Sequence, residues 1–318
     1  MVEQIIKYAW AAGVAVFIVA ISSFGWHASR PYEGSADEEA KARLKGHVRV
    51  LSAEIGIRDI FSADALRRAQ DYITGVLVKS GYRVEYQVYE VAGKEVTNII
   101  VLKEGRDEAK ESIIVGAHYD SCANPGADDN ASAVAVLLEV ARRLAQAPLE
   151  RGVRFAFFVN EEPPFFQTNA MGSRVYTRRL KERKEDIHGA VILESVGYYS
   201  QKLFSQKYPP LLGPFFPNKG NFLAVVGNLR SRHLAFDASR ALRKGRVPVR
   251  TLVLDYFPAA SFSDHWAFWQ EGYRAVMITD TAFLRNPHYH QPTDTPEKLD
   301  YDMMAGLADW LADWLAET

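Results

Sequence analysis

The chain has 318 residues, 48% of them hydrophobic, enough to fill the core of one large globular domain. Lys+Arg 38 against Asp+Glu 39 leaves a formal net charge of -1, which gives no electrostatic reason to expect a nucleic-acid partner. A single cysteine, Cys122, excludes an intrachain disulfide framework but does not settle the compartment.

Tyr8 to Trp26 is uncharged and mostly apolar. As a helix it would span about 28 Å, close to the roughly 30 Å of bilayer hydrocarbon, with Trp10 and Trp26 near the two interfaces. Lys7 precedes the segment, while Glu33, Asp37, Glu38 and Glu39 follow soon after Arg30. That asymmetry favours an amino terminus inside and a body outside the cytoplasm. Residues 1–26 are therefore expected to be an uncleaved membrane anchor, with a cleaved signal segment and secretion as the rival. Residues 27–42 read as a polar, acidic linker, and 43–318 as one domain.

Ala63 to Ser80 carries Leu66, Ala69, Ile73, Val76 and Leu77 on one helical face, with Gly81 as a stop. Arg83 to Val91 sets Val84, Tyr86 and Val88 against Glu85, Gln87 and Tyr89, a half-buried strand. Asn98–Leu102 and Ser112–Ala117 read as strands. They precede a helix whose stripe is Val134, Leu137, Leu138, Ala141 and Leu144. Further strands are expected at Val153–Val159, Ala190–Leu193, Asn221–Val226, Val249–Leu254 and Ala275–Ile278, and a closing helix at Tyr301–Ala316. Ser200 to Gly220, rich in Pro, Phe and Lys, reads as a long loop. The pattern predicts an α/β fold: a three-layer α/β/α sandwich around a mixed, mostly parallel sheet, preceded by one N-terminal apolar helix.

Ionisable residues collect just after these apolar runs, where open α/β sheets place their sites. His118 follows Ile113–Ala117, and Asp120 stands two residues on, able to orient an imidazole or simply to satisfy a core histidine. Asp128 and Asp129 open a helix, where acids also serve as caps. Glu161 and Glu162 follow a strand end and repel each other unless cations, protons or solvent compensate. Glu194 ends another apolar run, and His288 and His290 share a Pro-bounded loop. Cys122, four residues after His118, could be a ligand, but the harder oxygen and nitrogen donors crowding the region argue against it.

The ordered set His118-Tyr-Asp120, Gly126-Ala-Asp-Asp129-Asn-Ala-Ser, Glu161-Glu162, Glu194-Ser-Val-Gly and Tyr289-His290-Gln-Pro-Thr-Asp294 resembles the co-catalytic zinc exopeptidases of metallopeptidase family 28. The resemblance covers most of residues 45–316, including Leu51-x-x-x-Ile-Gly-Ile-Arg58. It implies two zinc ions per chain: one held by His118 and Glu194, another by Glu162 and His290, with Asp129 rather than Asp128 bridging them. It also implies Glu161 as general base, Asp120 as partner of His118, and a peptide as substrate, most readily an aminopeptidase substrate. Ser263-Asp264-His265 resembles an element lining the site, which makes Asp264 and His265 candidates for substrate binding or for a structural role. His288 is read as a non-ligand.

The chain departs from the family pattern in several places. Glu194 stands where many members have Asp, Ala133 replaces a frequent Gly, and the apolar stretch from Pro163 to Met171 is longer than usual. No tyrosine immediately precedes Ser263, so the group that polarises the oxyanion is left unidentified. Phe165, Phe166, Phe204 and Phe215 hint at hydrophobic substrate side chains, though core packing explains them equally. A glutaminyl cyclase on the same fold, with a single zinc, and a non-enzymatic ectodomain are the competing readings. Oligomeric state is not legible.

Overall fold

The computed structural model describes residues 37–208, 213, 216–244, 248–255 and 258–318. The apolar segment Tyr8–Trp26 and Phe215 lie outside the described residues, as does most of the expected linker. Among the described residues no helix is long and apolar enough to cross a membrane.

Helix α1 (Glu38–Val48) begins inside the stretch expected to be linker. Asp37 caps it by accepting from the Ala40 amide, and Glu38 and Glu39 sit in the first turn, where the helix dipole favours acids. The acidic composition that suggested a linker is thus a helix start, and Ala40, Leu44 and Val48 form its buried face. A π-helical turn (Arg49–Ile55) leads on to α2 (Ala63–Lys79), whose Leu66, Ala69, Ile73 and Leu77 are buried as the spacing predicts.

Eight strands form one sheet: β1 (Val84–Val91), β2 (Lys94–Lys103), β3 (Ile113–His118), β4 (Val153–Phe158), β5 (Gly189–Glu194), β6 (Leu223–Gly227), β7 (Val249–Val253) and β8 (Ala275–Thr279). Their order is β1-β2-β4-β3-β5-β8-β6-β7. The centre, β4-β3-β5-β8, is parallel; β1 and β2 pair antiparallel on one side, and β6 joins β8 antiparallel on the other. The expected mixed sheet is what forms.

Period-two alternation sends side chains to two layers. Ile113, Val115, Phe155, Phe157, Val191 and Leu193 pack with α1, α2, α3 (Ala133–Leu144), α5 (Arg232–Lys244) and α7 (Tyr301–Glu317). Ile114, Ala156, Phe158, Ala190 and Ile192 face the thinner layer of α4 (Gly172–Glu182) and α6 (His265–Gln270). Strands covered on both faces explain the unbroken apolar runs of the centre.

Strand β1 is turned over relative to the alternation expected for it. Tyr86 and Val88 are exposed while Gln87 is buried. The reason is polar: Asn98 on β2 donates to Gln87 Oε1 at 2.9 Å, and the Tyr89 hydroxyl reaches the Ala170 carbonyl at 3.1 Å. Among the described residues, 200–220 contain no strand or α-helix, as expected of a loop.

Candidate metal centre

Three strand ends and two loops meet at the carboxyl edge of the parallel strands. His118 is the last residue of β3, Glu194 the last of β5, and Glu161 and Glu162 follow β4. Asp129 enters from the π-turn Ala127–Ser132 ahead of α3, and His290 from the loop after β8.

Asp129 presents a different oxygen to each histidine. Its Oδ1 lies 3.2 Å from His118 Nε2, and its Oδ2 lies 3.0 Å from His290 Nε2. Each imidazole has a glutamate of its own: Glu194 Oε2 is 3.3 Å from His118 Nε2, and Glu162 Oε2 is 3.3 Å from His290 Nε2. Glu161 Oε2 lies further off, 3.8 Å from His118 Nε2. Despite these short separations, both His118 nitrogens, His290 Nε2, Asp129 Oδ1 and Glu162 Oε1 are buried and lack any hydrogen bond. Donor atoms that crowd without bonding converge on common points rather than on one another, which is what cation ligands do.

Charge points the same way. Asp120, Asp129, Glu161, Glu162, Glu194 and Asp264 are all buried, against two imidazoles and the buried guanidinium of Arg58. Burial, followed by repulsion from Asp129, pushes the Glu162 carboxyl up to about 8 despite the opposing pull of His290. Burial also raises Glu161 well above the carboxylate range; Glu194, Glu162 and Asp264 add to it, and His118 opposes. For Asp129, burial is outweighed by the adjacent imidazoles of His118 and His290, and its carboxyl falls below the usual range. Burial works against a charged His290, but Asp129 and Glu162 lift it to about 10.

Neighbouring groups hold this set in place. Asp120 is 3.5 Å from His118 Nδ1, and its two oxygens accept from the Glu161 and Glu162 amides at 3.2 and 3.1 Å. One carboxylate thus fixes two of the converging residues and faces a third. Glu194 is gripped by Ser263 Oγ at 2.7 Å and Ser195 Oγ at 3.2 Å, so the longer side chain still reaches His118. Asp294 accepts from the Asp128 and Asp129 amides at 2.9 and 3.2 Å. Asp128 itself turns away, accepting from the Gly197 amide and from Asn286 Nδ2 at 2.9 and 2.7 Å.

The loop between β3 and the π-turn is clamped by Arg58, which donates to the carbonyls of Tyr119, Pro125 and Gly126 at 2.8, 2.6 and 2.8 Å. Gly126 sits at φ +59°, and a Cβ there would lie 2.3 Å from the Asp129 carbonyl oxygen. Asn160, Ser195 and His290 also adopt positive φ (59°, 45° and 55°), a sparsely populated region for side-chain-bearing residues. All three are at or beside the converging groups.

Not every candidate joins the centre. His265 is fully buried on α6, its Nε2 donating to the Ala260 carbonyl at 2.7 Å and its ring edge-on to Trp269. These contacts suit the structural role that the sequence left open for it beside substrate binding. Asp264 is also fully buried, makes no hydrogen bond and is pushed up to about 7 by burial, with Glu194 and Asp120 adding to the shift against His118. It belongs to the electrostatics of the centre rather than to an exposed wall. His288 bonds Thr293 Oγ1 at 2.8 Å, outside the cluster. The roles of Arg58, Asp294, Ser263 and Ser195 were not read from sequence; all four stood inside the quoted motifs, and only the fold shows what they hold.

An aromatic run leaves the centre. The Tyr289 ring stacks on His290 with centroids 3.9 Å apart, followed by Phe283, Phe262 and Phe166 at 5.8, 6.4 and 5.8 Å steps. Phe262 and Phe283 are exposed, Phe165 packs against the core, and Phe204 stands in solvent. The Pro163–Met171 stretch thus splits, with Phe165 facing inward and Phe166 extending this run.

The comparisons agree with the geometry. The model of peptidase family M28 matches residues 98–315. Uncharacterized protein YfbL of Escherichia coli (strain K12) is 38% identical over 279 residues, 84% of this chain and 85% of that protein. A probable leucine aminopeptidase of Trichophyton verrucosum (strain HKI 0517) is 26% identical over 222 residues, 65% of this chain and 53% of its own length. Among solved structures, the zinc aminopeptidase BSAP from Bacillus subtilis superposes with a TM-score of 0.68 at 17% identity, covering 87% of this chain and 94% of that one. Fimbriiglobus ruber glutaminyl cyclase gives 0.66 at 20% identity, covering 91% and 99%.

Proposed function

The chain belongs to peptidase family M28, and from that premise we propose that it is a zinc-dependent exopeptidase, an aminopeptidase removing amino-terminal residues from peptides. The observation that carries this reading is Asp129, whose two oxygens face two histidines, each with its own glutamate. That donor set, in which the histidine Nε2 nitrogens, one Asp129 oxygen and one Glu162 oxygen are buried without a hydrogen bond, fits a pair of zinc ions: His118, Glu194 and Asp129 for one, Glu162, His290 and Asp129 for the other. Ions held there would polarise a peptide carbonyl and acidify a water molecule.

The remaining chemistry belongs to side chains of the chain. Glu161 takes a proton from the attacking water as its oxygen bonds to the carbonyl carbon, and hands it to the amine nitrogen as the C–N bond breaks. Asp120 positions this base through the Glu161 amide and helps to hold the His118 ring. We assign the oxyanion donor left open by the sequence to Tyr289, whose ring stacks on His290 and whose phenol is raised above its ordinary range by burial, then by Asp129, Glu162, Glu194 and Glu161. The exposed Phe262 and Phe283 beside it suit an apolar substrate side chain.

Hydrolysis of free but not amino-blocked peptides, lost with chelator and restored by zinc, tests this function; equal cleavage of blocked peptides would sink the aminopeptidase part. The near-equal likeness to a glutaminyl cyclase fold keeps one competitor in view. Ammonia release from a peptide with amino-terminal glutamine, at one zinc per chain, would favour it. For Tyr8–Trp26 we propose a membrane anchor with the catalytic body outside the cytoplasm; extraction of the full chain by alkaline carbonate would refute it.

A further inference from the structure

Resting on the metal reading above, we propose that the thiol of Cys122 is a further donor to the half of the centre formed by Glu162 and His290. Cys122 Sγ, a Glu162 carboxylate oxygen and a His290 ring nitrogen all lie within 4.8 Å of one another. Glu162 is nine-tenths buried; its Oε2 faces His290 Nε2, while its Oε1 has no hydrogen-bond partner at all. An unpartnered carboxylate oxygen and an unpartnered imidazole nitrogen next to a thiol form a three-donor group, not a stray cysteine in a loop.

The backbone around the thiol is fixed. Ser121 Oγ accepts from the Arg58 amide at 3.2 Å and donates to the Asn124 carbonyl at 2.9 Å, on either side of Cys122. Arg58 then ties down the carbonyls of Tyr119, Pro125 and Gly126. The thiol is therefore presented to Glu162 and His290 by a braced loop. Sulfur is softer than the oxygen and nitrogen donors around His118, so the two halves of the centre differ in metal preference. Coordination releases the thiol proton to solvent as the sulfur–metal bond forms.

Cobalt(II) tests this in the full chain, stripped of metal and reloaded, because Cys122 is the only cysteine and any thiolate signal belongs to it. Visible ligand-field bands report cobalt held by any donors, and a near-ultraviolet sulfur-to-cobalt charge-transfer band reports the thiolate. The expected result is both sets of bands in the unaltered chain. Cys122→Ser and Cys122→Val should lose the charge-transfer band and keep the visible ones, and His290→Ala should lose the charge-transfer band with part of the visible absorption. Visible bands without charge transfer in the unaltered chain would overturn the thiol proposal and leave the metal reading standing. No cobalt bands and no bound cobalt would overturn both.

Discussion

Glu161→Gln keeps the size of the side chain and removes its capacity to take a proton. Because Glu161 lies outside the two donor sets, the variant should bind zinc in unchanged amount by elemental analysis while turnover falls about 10²–10⁴-fold. Metal loss in step with activity would instead make Glu161 a ligand. Tyr289→Phe leaves the ring stacked on His290 and deletes only the hydroxyl. It should lower kcat about 10²-fold or more with little change in KM, the mark of a donor used in the transition state. The sequence pointed to the converging residues because their types are rare at the ends of apolar strands. It put Ser263 in an element lining the site but not its task, which exists only because the fold brings its hydroxyl 2.7 Å from Glu194.

At the scale of elements, the loop from Tyr119 to Gly126 is the part of the site with the least secondary structure and the most side-chain bracing. Arg58→Met would leave the Tyr119 and Pro125 carbonyls without the donor they have now and strip one of two donors from the Gly126 carbonyl. Loss of about 3–5 kcal/mol of stability is expected, read from denaturant unfolding. Gly126→Ala should fail in a different way: the positive φ and the 2.3 Å approach to the Asp129 carbonyl displace the aspartate, so zinc affinity should drop more than the melting temperature does. The central strands were legible because burial on both faces leaves a continuous apolar signature. The face of β1 was not, since a hydrogen bond between Gln87 and Asn98 outweighs its alternation. Helix α4 buries only Gly172, Ser173, Tyr176, Thr177 and Leu180, too polar a stripe to stand out, and the six residues of α6 are too few for a period.

For the molecule as a whole, the buried His265, like His47, adds an acid sensitivity separate from the metal centre. Burial lowers its imidazole from 6.5 to about 4, with the Ala260 carbonyl opposing. Between those values the unfolded chain binds the proton and the folded chain does not, so stability falls as pH drops through that window. The contribution is up to about 3 kcal/mol. His265→Gln should flatten that part of the stability profile relative to the unaltered chain; parallel profiles for the two would show that the ring is not the acid-sensitive group.

Arg58 also bears on how such a domain can be inherited. It lies outside residues 98–315, the span matched by the family, yet its guanidinium shapes the loop that carries Cys122 and leads into Asp129. The two segments, far apart in the chain, are joined through that one side chain. A chimera whose amino-terminal helices brought no arginine to the place of Arg58 would keep every side chain of the centre without the clamp that sets their spacing.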